Sequence, residues 1–245
     1  MTSSVTPLRL FVERVDRSGV WNMAFDEFLL RQALDQNQAA VRIYGWETAT
    51  VSLGYFQKDV SQVDARLRQL PIVRRLSGGG AILHHHEITY SIALPKSHGV
   101  TNNPGLLYRI AHDVIVAHLM AANVNAQYRG EVVHRNDDPF LCFSRQDPND
   151  LVINNTKIVG SAQRRRRGAI LQHGSILLKA SSFVPELLGI EDINKSENSL
   201  TLDRQSLGRS IAQKLASDIE ESALAEADVN SIAELSEQYD ASPSS

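Results

Sequence analysis

Apolar and polar residues alternate in short runs over much of this chain, and the runs come in clusters. Leu8–Val12 reads as a first strand, and Val41–Tyr44 and Thr50–Leu53 as two more, closed by Gly45 and Gly54. Those two predict an antiparallel pair or meander. Ile72–Leu76 predicts a strand running straight into Ser77-Gly78-Gly79-Gly80, and Ala81–Leu83 and Ile88–Leu94 continue the sheet. Further strands are expected near 141–143, 150–153, 156–163 and 169–178.

The period lengthens to that of a helix at Trp21–Leu30. Asn22 is the expected N-cap, with Asp26 and Glu27 in the first turns, where the helix dipole favours acids. This stretch reads as a packed amphipathic helix rather than part of a site. Ser61–Leu70 predicts a short helix capped by Ser61 and stopped by Pro71. Gly105–Asn123 carries the broadest stripe, through Leu107, Ile110, Ala111, Val114 and Ile115. Ala117 and Met120 widen it, so this helix is expected to be buried over much of its surface, with His112 and His118 at its surface or in its packing. Helices are also expected at 181–188 and 206–224. Helices fall between strand clusters rather than after every strand. The fold class is therefore α+β, with a central mixed, largely antiparallel sheet flanked by helices.

With 245 residues, 42% of them hydrophobic and 22% charged, the chain can bury a full core. It reads as one domain over 1–225, followed by an acidic tail, 226–245, expected to be disordered and to fray at its last four residues. A formal net charge of −3 supplies no global field for nucleic acid or an anionic membrane. The lone cysteine cannot close an internal disulfide, which fits a reducing compartment. No basic start leads into an apolar run, and no stretch approaches the roughly 20 apolar residues of a membrane span. The expected location is the cytoplasm.

Candidate chemistry sits in two stretches. In the first, three glycines after a strand let the backbone turn sharply and approach a ligand, and their N–H groups could hold a carboxylate, phosphate or acyl oxygen. A structural bulge would use the same glycines. Arg74 and Arg75 alternate, so one can face the ligand and the other solvent. The spacing matches neither a P-loop nor a dinucleotide fingerprint. A strand through His84–His86 would put His84 and His86 on one face, but no cysteine or carboxylate cluster completes a metal set. No metal is expected, and His84 is expected to line a pocket.

The second stretch runs from Cys142 to Ser175. Cys142 lies between Leu141 and Phe143, and Lys157 follows fifteen residues later. A free cysteine among apolar neighbours can be a small buried hydrophobe. A nearby ammonium would instead favour thiolate and make a nucleophile. Arg164–Arg167 followed by Gly168 predicts a hairpin turn with a solvated basic rim that could face an acidic protein. No basic stripe or aromatic platform accompanies it, so nucleic acid is not an expected partner.

Taken together, NMAFDE (22–27), GWETATVSLGYFQ (45–57), RRLSGGGAILHH (74–85), NDLVINNTKIVGSAQ (149–163) and HGSILL (173–178) resemble the biotin/lipoate protein ligase superfamily, in its lipoate-ligase and octanoyltransferase branch. The resemblance implies a fold like biotin ligases and class II aminoacyl-tRNA synthetases. It implies an acyl group in a tunnel beside the glycine turn, and a lipoyl-domain lysine as acceptor. Around the acyl group or a nucleotide it implies Arg75, Ser77, Gly78, Gly79, Gly80, Ala81, Ile82, Leu83, His84, Asp150, Gly160, Ser161 and His173.

Cys142-Phe143 ahead of Lys157–Gln163 is similar to the cysteine-dependent octanoyltransferases. By that similarity Cys142 and Lys157 are catalytic and no cofactor is needed. Octanoyl-acyl carrier protein would be the donor, and the glycine cleavage H protein and E2 subunits of 2-oxoacid dehydrogenases the acceptors. The alternative implied is an ATP-dependent lipoate–protein ligase acting through lipoyl-AMP with ATP and Mg2+, needing a separate accessory subunit. In it Arg75 and Gly80–Leu83 would contact phosphates, and Lys157 would bind lipoate and the α-phosphate. A non-catalytic acyl-binding accessory protein is the remaining alternative.

Overall fold

The computed structural model describes residues 6–132, 140–194 and 202–242. The chain opens with β1 (Leu8–Val12), α1 (Gly19–Asp35), β2 (Ala40–Tyr44), β3 (Thr50–Leu53), β4 (Ile72–Arg74), β5 (Ile82–His84) and β6 (Glu87–Leu94). Helix α2 (Pro104–Ala121) follows, then β7 (Gln127–Tyr128), β8 (Leu151–Ile153), β9 (Thr156–Arg166) and β10 (Ala169–Leu177). The chain closes with α3 (Ile190–Asn194), α4 (Arg204–Leu215), β11 (Ile219–Glu221) and α5 (Glu226–Ser236).

A large sheet runs β11-β1-β2-β6-β10-β9-β8-β7, and a small one runs β4-β3-β5. In the large sheet β1 is parallel to both β11 and β2, and the other pairings are antiparallel. This is the expected α+β architecture. Alternation along the strands sends Val41, Ile43, Ile92, Ile170 and Ile176 to one face, where they pack with α2 and α4. The other face carries Ala40, Ala93 and Leu171 under α1. The small sheet has its own cluster around Val51, Leu53, Leu67 and Leu83.

Several local expectations are corrected. Helix α1 starts at Gly19 because Ser18 is the cap, its hydroxyl accepting from the Trp21 N–H. Asn22 lies inside the helix and donates to the Gly45 carbonyl instead. β2 and β3 do not pair with each other. Both edges of β2 are taken by β1 and β6, so β3 starts the second sheet with parallel β4 and antiparallel β5. The expected helix at 61–70 is two separate 3-10 turns, Val60–Gln62 and Ala65–Leu67, because Asp59 and Asp64 each cap a new start. Met120 on α2 is 62% exposed, so the buried stripe is narrower than expected.

Residues 181–188 form turns, and the helix expected through 224 ends at Leu215, where the chain leaves to pair β11 with β1. The tail expected to be disordered is held. Helix α5 buries Ile232 and Leu235 against α1, Tyr239 donates its hydroxyl to buried Glu27, and Ala241 bonds the Ile72 carbonyl. Of the four residues expected to fray, Ser242 is held, its hydroxyl accepting from the Ile72 N–H, and 243–245 lie outside the described residues. With the sheet on one side and α5 on the other, α1 is buried on most of its surface. Among the described residues no helix is long and apolar enough to cross a membrane.

Candidate active site

The face of the large sheet under α1 changes character along the strands. Ala40, Ala93 and Leu171 lie side by side and support the helix. The next row on that face is Arg42, Ser91, His173 and Ala162, and the next is Tyr44, Thr89, Ser175 and Gly160. Two residues of register thus carry the surface from hydrocarbon to hydroxyls, imidazole and guanidinium. A polar strip that is buried needs partners for every group. The partners here are other side chains and the end of α1.

Asp26 reaches down from α1 to accept from His173 Nδ1 at 3.0 Å and from Arg42 at 3.2 Å. Burial alone would raise the Asp26 pKa. The bond from His173 and the charge of Arg42 outweigh it and hold the carboxyl below the usual range. Asp26 is therefore ionised, and it accepts the hydrogen that His173 carries on Nδ1. Nε2 is left to accept from the Ser77 hydroxyl, the first residue of the glycine turn. Next to this, His84 is stacked on Trp46 at 3.8 Å and bonds Glu87 at 2.7 Å and Ser52 at 2.9 Å. Burial pushes its pKa down. Thr89 and Ser175 both donate to the same Glu87 oxygen.

A third chain fixes Ser161. His112 donates from Nδ1 to the Asn149 carbonyl at 2.7 Å, so its Nε2 accepts from Ser161. Ser161 then accepts from Tyr90, whose oxygen accepts from Gln172. Burial holds His112 at about 4, so the ring is neutral at pH 7. His112, expected at the helix surface or in its packing, is 1% exposed and part of the site's support. Gly174 sits between these groups because a Cβ there would strike Ser161 and Tyr90.

The opposite wall comes from the glycine turn and the Cys142 segment. Gly79 has φ +90, and Gly54 lies so close under it that a Cβ would strike the Gly79 carbonyl. Ala81 exchanges backbone bonds with the other segment, its N–H to Phe140 at 2.8 Å and its carbonyl from Cys142 N–H at 2.7 Å. This fastens a 3-10 turn, Cys142–Ser144, where a strand was expected. A sharp turn at this point brings Cys142 and Phe143 against the sheet instead of alongside it.

Lys157 leaves β9 and lies across Gly160, where a Cβ would come within 2.6 Å of its Cε. Its ammonium bonds the Cys142 carbonyl at 3.3 Å and pairs with Asp150 at 2.8 Å. Burial raises the Asp150 pKa against the pull of Lys157. The second Asp150 oxygen accepts from the Asp147 N–H at 2.8 Å.

These walls line a narrow, largely apolar pocket. Of the residues singled out from the sequence, Arg75, Ile82, His84, Cys142, Gly160, Ser161 and His173 line it. Ser77 is buried behind His173. Gly78 packs under Phe56, and Gly80 backs onto Phe140 and Arg145. Ala81 and Leu83 face a neighbouring apolar cavity with Leu141 and Leu187. His84 ends β5 while His86, at φ +52, turns the chain, so the two do not share a strand face. Arg75 points inward and Arg74 outward to the Gln57 and Lys58 carbonyls, as the alternation predicts.

Met23, Tyr44, Thr89, Gly174 and Ser175 also line the pocket, and Asp26 anchors it, without having been singled out. The signal for Asp26 was an acid, next to Glu27, in the first half of a helix that is otherwise largely apolar there. Its proximity to the helix start gave it a simpler explanation. The Arg164–Arg167 run ends β9 and turns at Arg167-Gly168, both at positive φ, so the basic rim is a hairpin.

Comparisons place this architecture among known proteins. Residues 18–235 match the model of the lipoyl protein ligase A/B catalytic domain. The octanoyltransferase LipM of Clostridioides difficile is 36% identical over 167 residues, which cover 65% of this chain and 62% of that protein's length. The octanoyltransferase LipM of Staphylococcus aureus is 29% identical over 94% of this chain and 95% of its own. Among solved structures, Ta0514 of Thermoplasma acidophilum with bound lipoic acid superimposes with a TM-score of 0.71 at 21% identity, covering 95% of each chain. A lipoate-protein ligase A bound with ATP gives 0.70 at 22% identity over 95% of each chain. The structures share the fold, and the match to the family model covers most of the sequence: this chain belongs to the lipoyl protein ligase A/B catalytic domain family.

Proposed function

We propose that this protein is an octanoyltransferase that moves an octanoyl group from acyl carrier protein to the specific lysine of a lipoyl domain, through a thioester on Cys142. The observation that carries the reading is that the only sulfhydryl of the chain lines an apolar pocket whose far wall is a pinned polar strip. The names of the relatives at 29–36% identity support the same chemistry.

The Cys142 thiolate attacks the thioester carbonyl of the donor. A carbon–sulfur bond forms to Cys142, and the bond to the carrier breaks, releasing the carrier thiolate. The acceptor lysine's amine then attacks the same carbonyl, forming the amide, losing a proton and returning the Cys142 thiolate. Lys157 and Asp150 hold the Cys142 segment in place by the carbonyl contact and the ion pair. Backbone N–H groups beside Gly78–Gly80 or Gly160–Ser161 stabilise the developing oxyanion. About six buried methylenes of an octanoyl chain are worth on the order of 5 kcal/mol at roughly 0.8 each. That is enough to retain the acyl group while donor and acceptor exchange. The hairpin of Arg164–Arg167 steers the acidic carrier and lipoyl domains, the glycine cleavage H protein and E2 subunits among them. The reaction needs no cofactor and takes place in the cytoplasm.

The test is acylation of a lipoyl domain with two donors in parallel. Octanoyl-acyl carrier protein without nucleotide is expected to support transfer. Acylation seen only with free lipoate, ATP and Mg2+ would overturn the proposal in favour of a ligase.

A further inference from the structure

Arg75 is among the largest fully buried side chains, with 2% of its surface exposed. One of its terminal nitrogens donates to the Ser52 carbonyl at 2.8 Å and to its hydroxyl at 3.2 Å. The other donates to the Gly78 and Gly80 carbonyls, each at 2.7 Å. Every one of those acceptors is neutral. Its Nε–H is buried with no partner, and no carboxylate pairs with it among the described residues. A guanidinium removed from water without an anion is costly, and such groups are retained where an anion completes them.

The missing anion has a position. A Cβ built on Gly79 would lie 3.1 Å from Arg75 Nη2 and 3.9 Å from Cys142 Sγ. Guanidinium and sulfur therefore stand within about 7 Å of each other, both on the same pocket. The other charged or titratable groups on that pocket are accounted for. His173 is tied to Asp26, His84 to Glu87, and Tyr44 bonds Asp26, while Lys157, behind the lining, pairs with Asp150. Arg145, on the Cys142 segment, is close enough to lower the Arg75 pKa. Burial lowers the Arg75 pKa to about 10, and a charge on Cys142 would raise it again. At pH 7 it remains a cation.

We infer that Arg75 is the counter-ion of the Cys142 thiolate, a positioning residue that holds the sulfur ionised, while Lys157 serves the backbone and Asp150. Ionisation releases the thiol proton to water and leaves the electron pair on sulfur, beside the one buried cation in the pocket wall that has no anion among the described residues. The inference rests on Cys142 carrying the acyl group, and the test separates the two.

The chain has one cysteine, so alkylation by iodoacetamide reports on Cys142 alone. The rate should be followed from pH 5 to 10 in the intact protein and in Arg75→Gln, Arg75→Lys and Lys157→Gln. Loss of Arg75 is expected to raise the pH of half-maximal reactivity by at least about one unit. Arg75→Lys should restore part of the shift, and Lys157→Gln should move it less than Arg75→Gln. An unmoved midpoint in Arg75→Gln, or a larger shift in Lys157→Gln, overturns the inference. If Arg75→Gln does not fold, Cys142→Asp replaces it as the probe. A carboxylate beside an unpaired guanidinium should melt no lower than Cys142→Asn at pH 7, and a clear drop would overturn the pairing. Failure of the intact protein to take an octanoyl group, with the midpoint shift present, sinks the transferase reading and leaves the pairing standing.

Discussion

The two walls of the pocket are built differently. On the strand wall, His173, Ser175, Thr89 and His84 sit on the large sheet or beside it, nearly fully buried, and each is held by a side-chain bond of 3.0 Å or less or by the close contact with Ser77. On the turn wall, Cys142 and Phe143 occupy a short 3-10 turn, half-buried, fastened by two backbone bonds to Ala81 and by Lys157. The strand wall has little freedom left, so it can orient a ligand but cannot follow one. The sulfur proposed to carry the acyl group is on the less tightly pinned wall. A rigid scaffold with chemistry on a connecting segment is a common division of labour.

The sharpest way to break the comparison is to remove the sulfur. Cys142→Ala should lower octanoyl transfer by at least about 10³-fold, because no other group on the turn wall can carry an acyl thioester. Its melting temperature should stay within a few degrees, because the side chain is only half-buried. Steady-state transfer and thermal melting measure the two. Retained transfer would shift the chemistry to the strand wall.

Lys157→Ala comes next. It removes the 2.8 Å partner of buried Asp150 and leaves it only Arg129 at 3.8 Å, and breaking such a pair costs up to about 3–5 kcal/mol. Transfer is expected to fall by roughly 10²-fold or more. The double change Lys157→Met with Asp150→Leu should recover most of the stability and little of the activity. Recovery of both would mean that the pair is only structural.

His112 on α2, which supports Ser161 from behind, predicts a pH dependence. His112 titrates near 4 in the folded chain against 6.5 when free. Between those values the unfolded chain binds a proton that the folded chain does not. Stability should therefore fall as pH drops from about 6.5 to about 4, by up to roughly 3 kcal/mol, and level off below. Urea unfolding at several pH values measures this. The decline should be shallower in His112→Gln, and an identical slope in that variant would remove His112 as its source.

The mildest perturbation is Gly160→Ala. Its methyl would press on Lys157 Cε and displace the ammonium from the Cys142 carbonyl. A loss of about tenfold in transfer is expected, with less than about 2 kcal/mol in stability. A larger loss of stability than of transfer would place the strain in the sheet rather than in the turn wall.

Much of this was legible in the residues. Alternation found β1, β6 and the β9–β10 hairpin, and the four arginines marked its turn. The glycine turn and the opposed sides of Arg74 and Arg75 followed from spacing, while the choice of Arg75 as the inward one came from the family resemblance. The misses share a cause. Gly45 ends β2, but whether the next strand pairs with it depends on which edges of β2 are already occupied by β1 and β6, and this is not a local property. Helix α5 and the residues after it looked like a disordered acidic tail because their few large apolar side chains, Ile232, Leu235 and Tyr239, find burial only against the α1 side of the core. Asp26 and His112 read as ordinary helix positions because their partners, His173 and Ser161, lie far along the chain. Lys157 was expected to face the sulfur of Cys142. It lies against the carbonyl of the same residue and pairs with Asp150, a distinction of a few ångströms that spacing does not resolve.

The central claim, that Cys142 carries the acyl group, is tested most directly by intact-protein mass spectrometry after mixing the protein with octanoyl-acyl carrier protein and no acceptor. The account predicts a gain of one octanoyl group, mapped by peptide analysis to Cys142 and released on adding a lipoyl domain. A protein that turns over the donor and acylates the domain while its own mass never changes would contradict it.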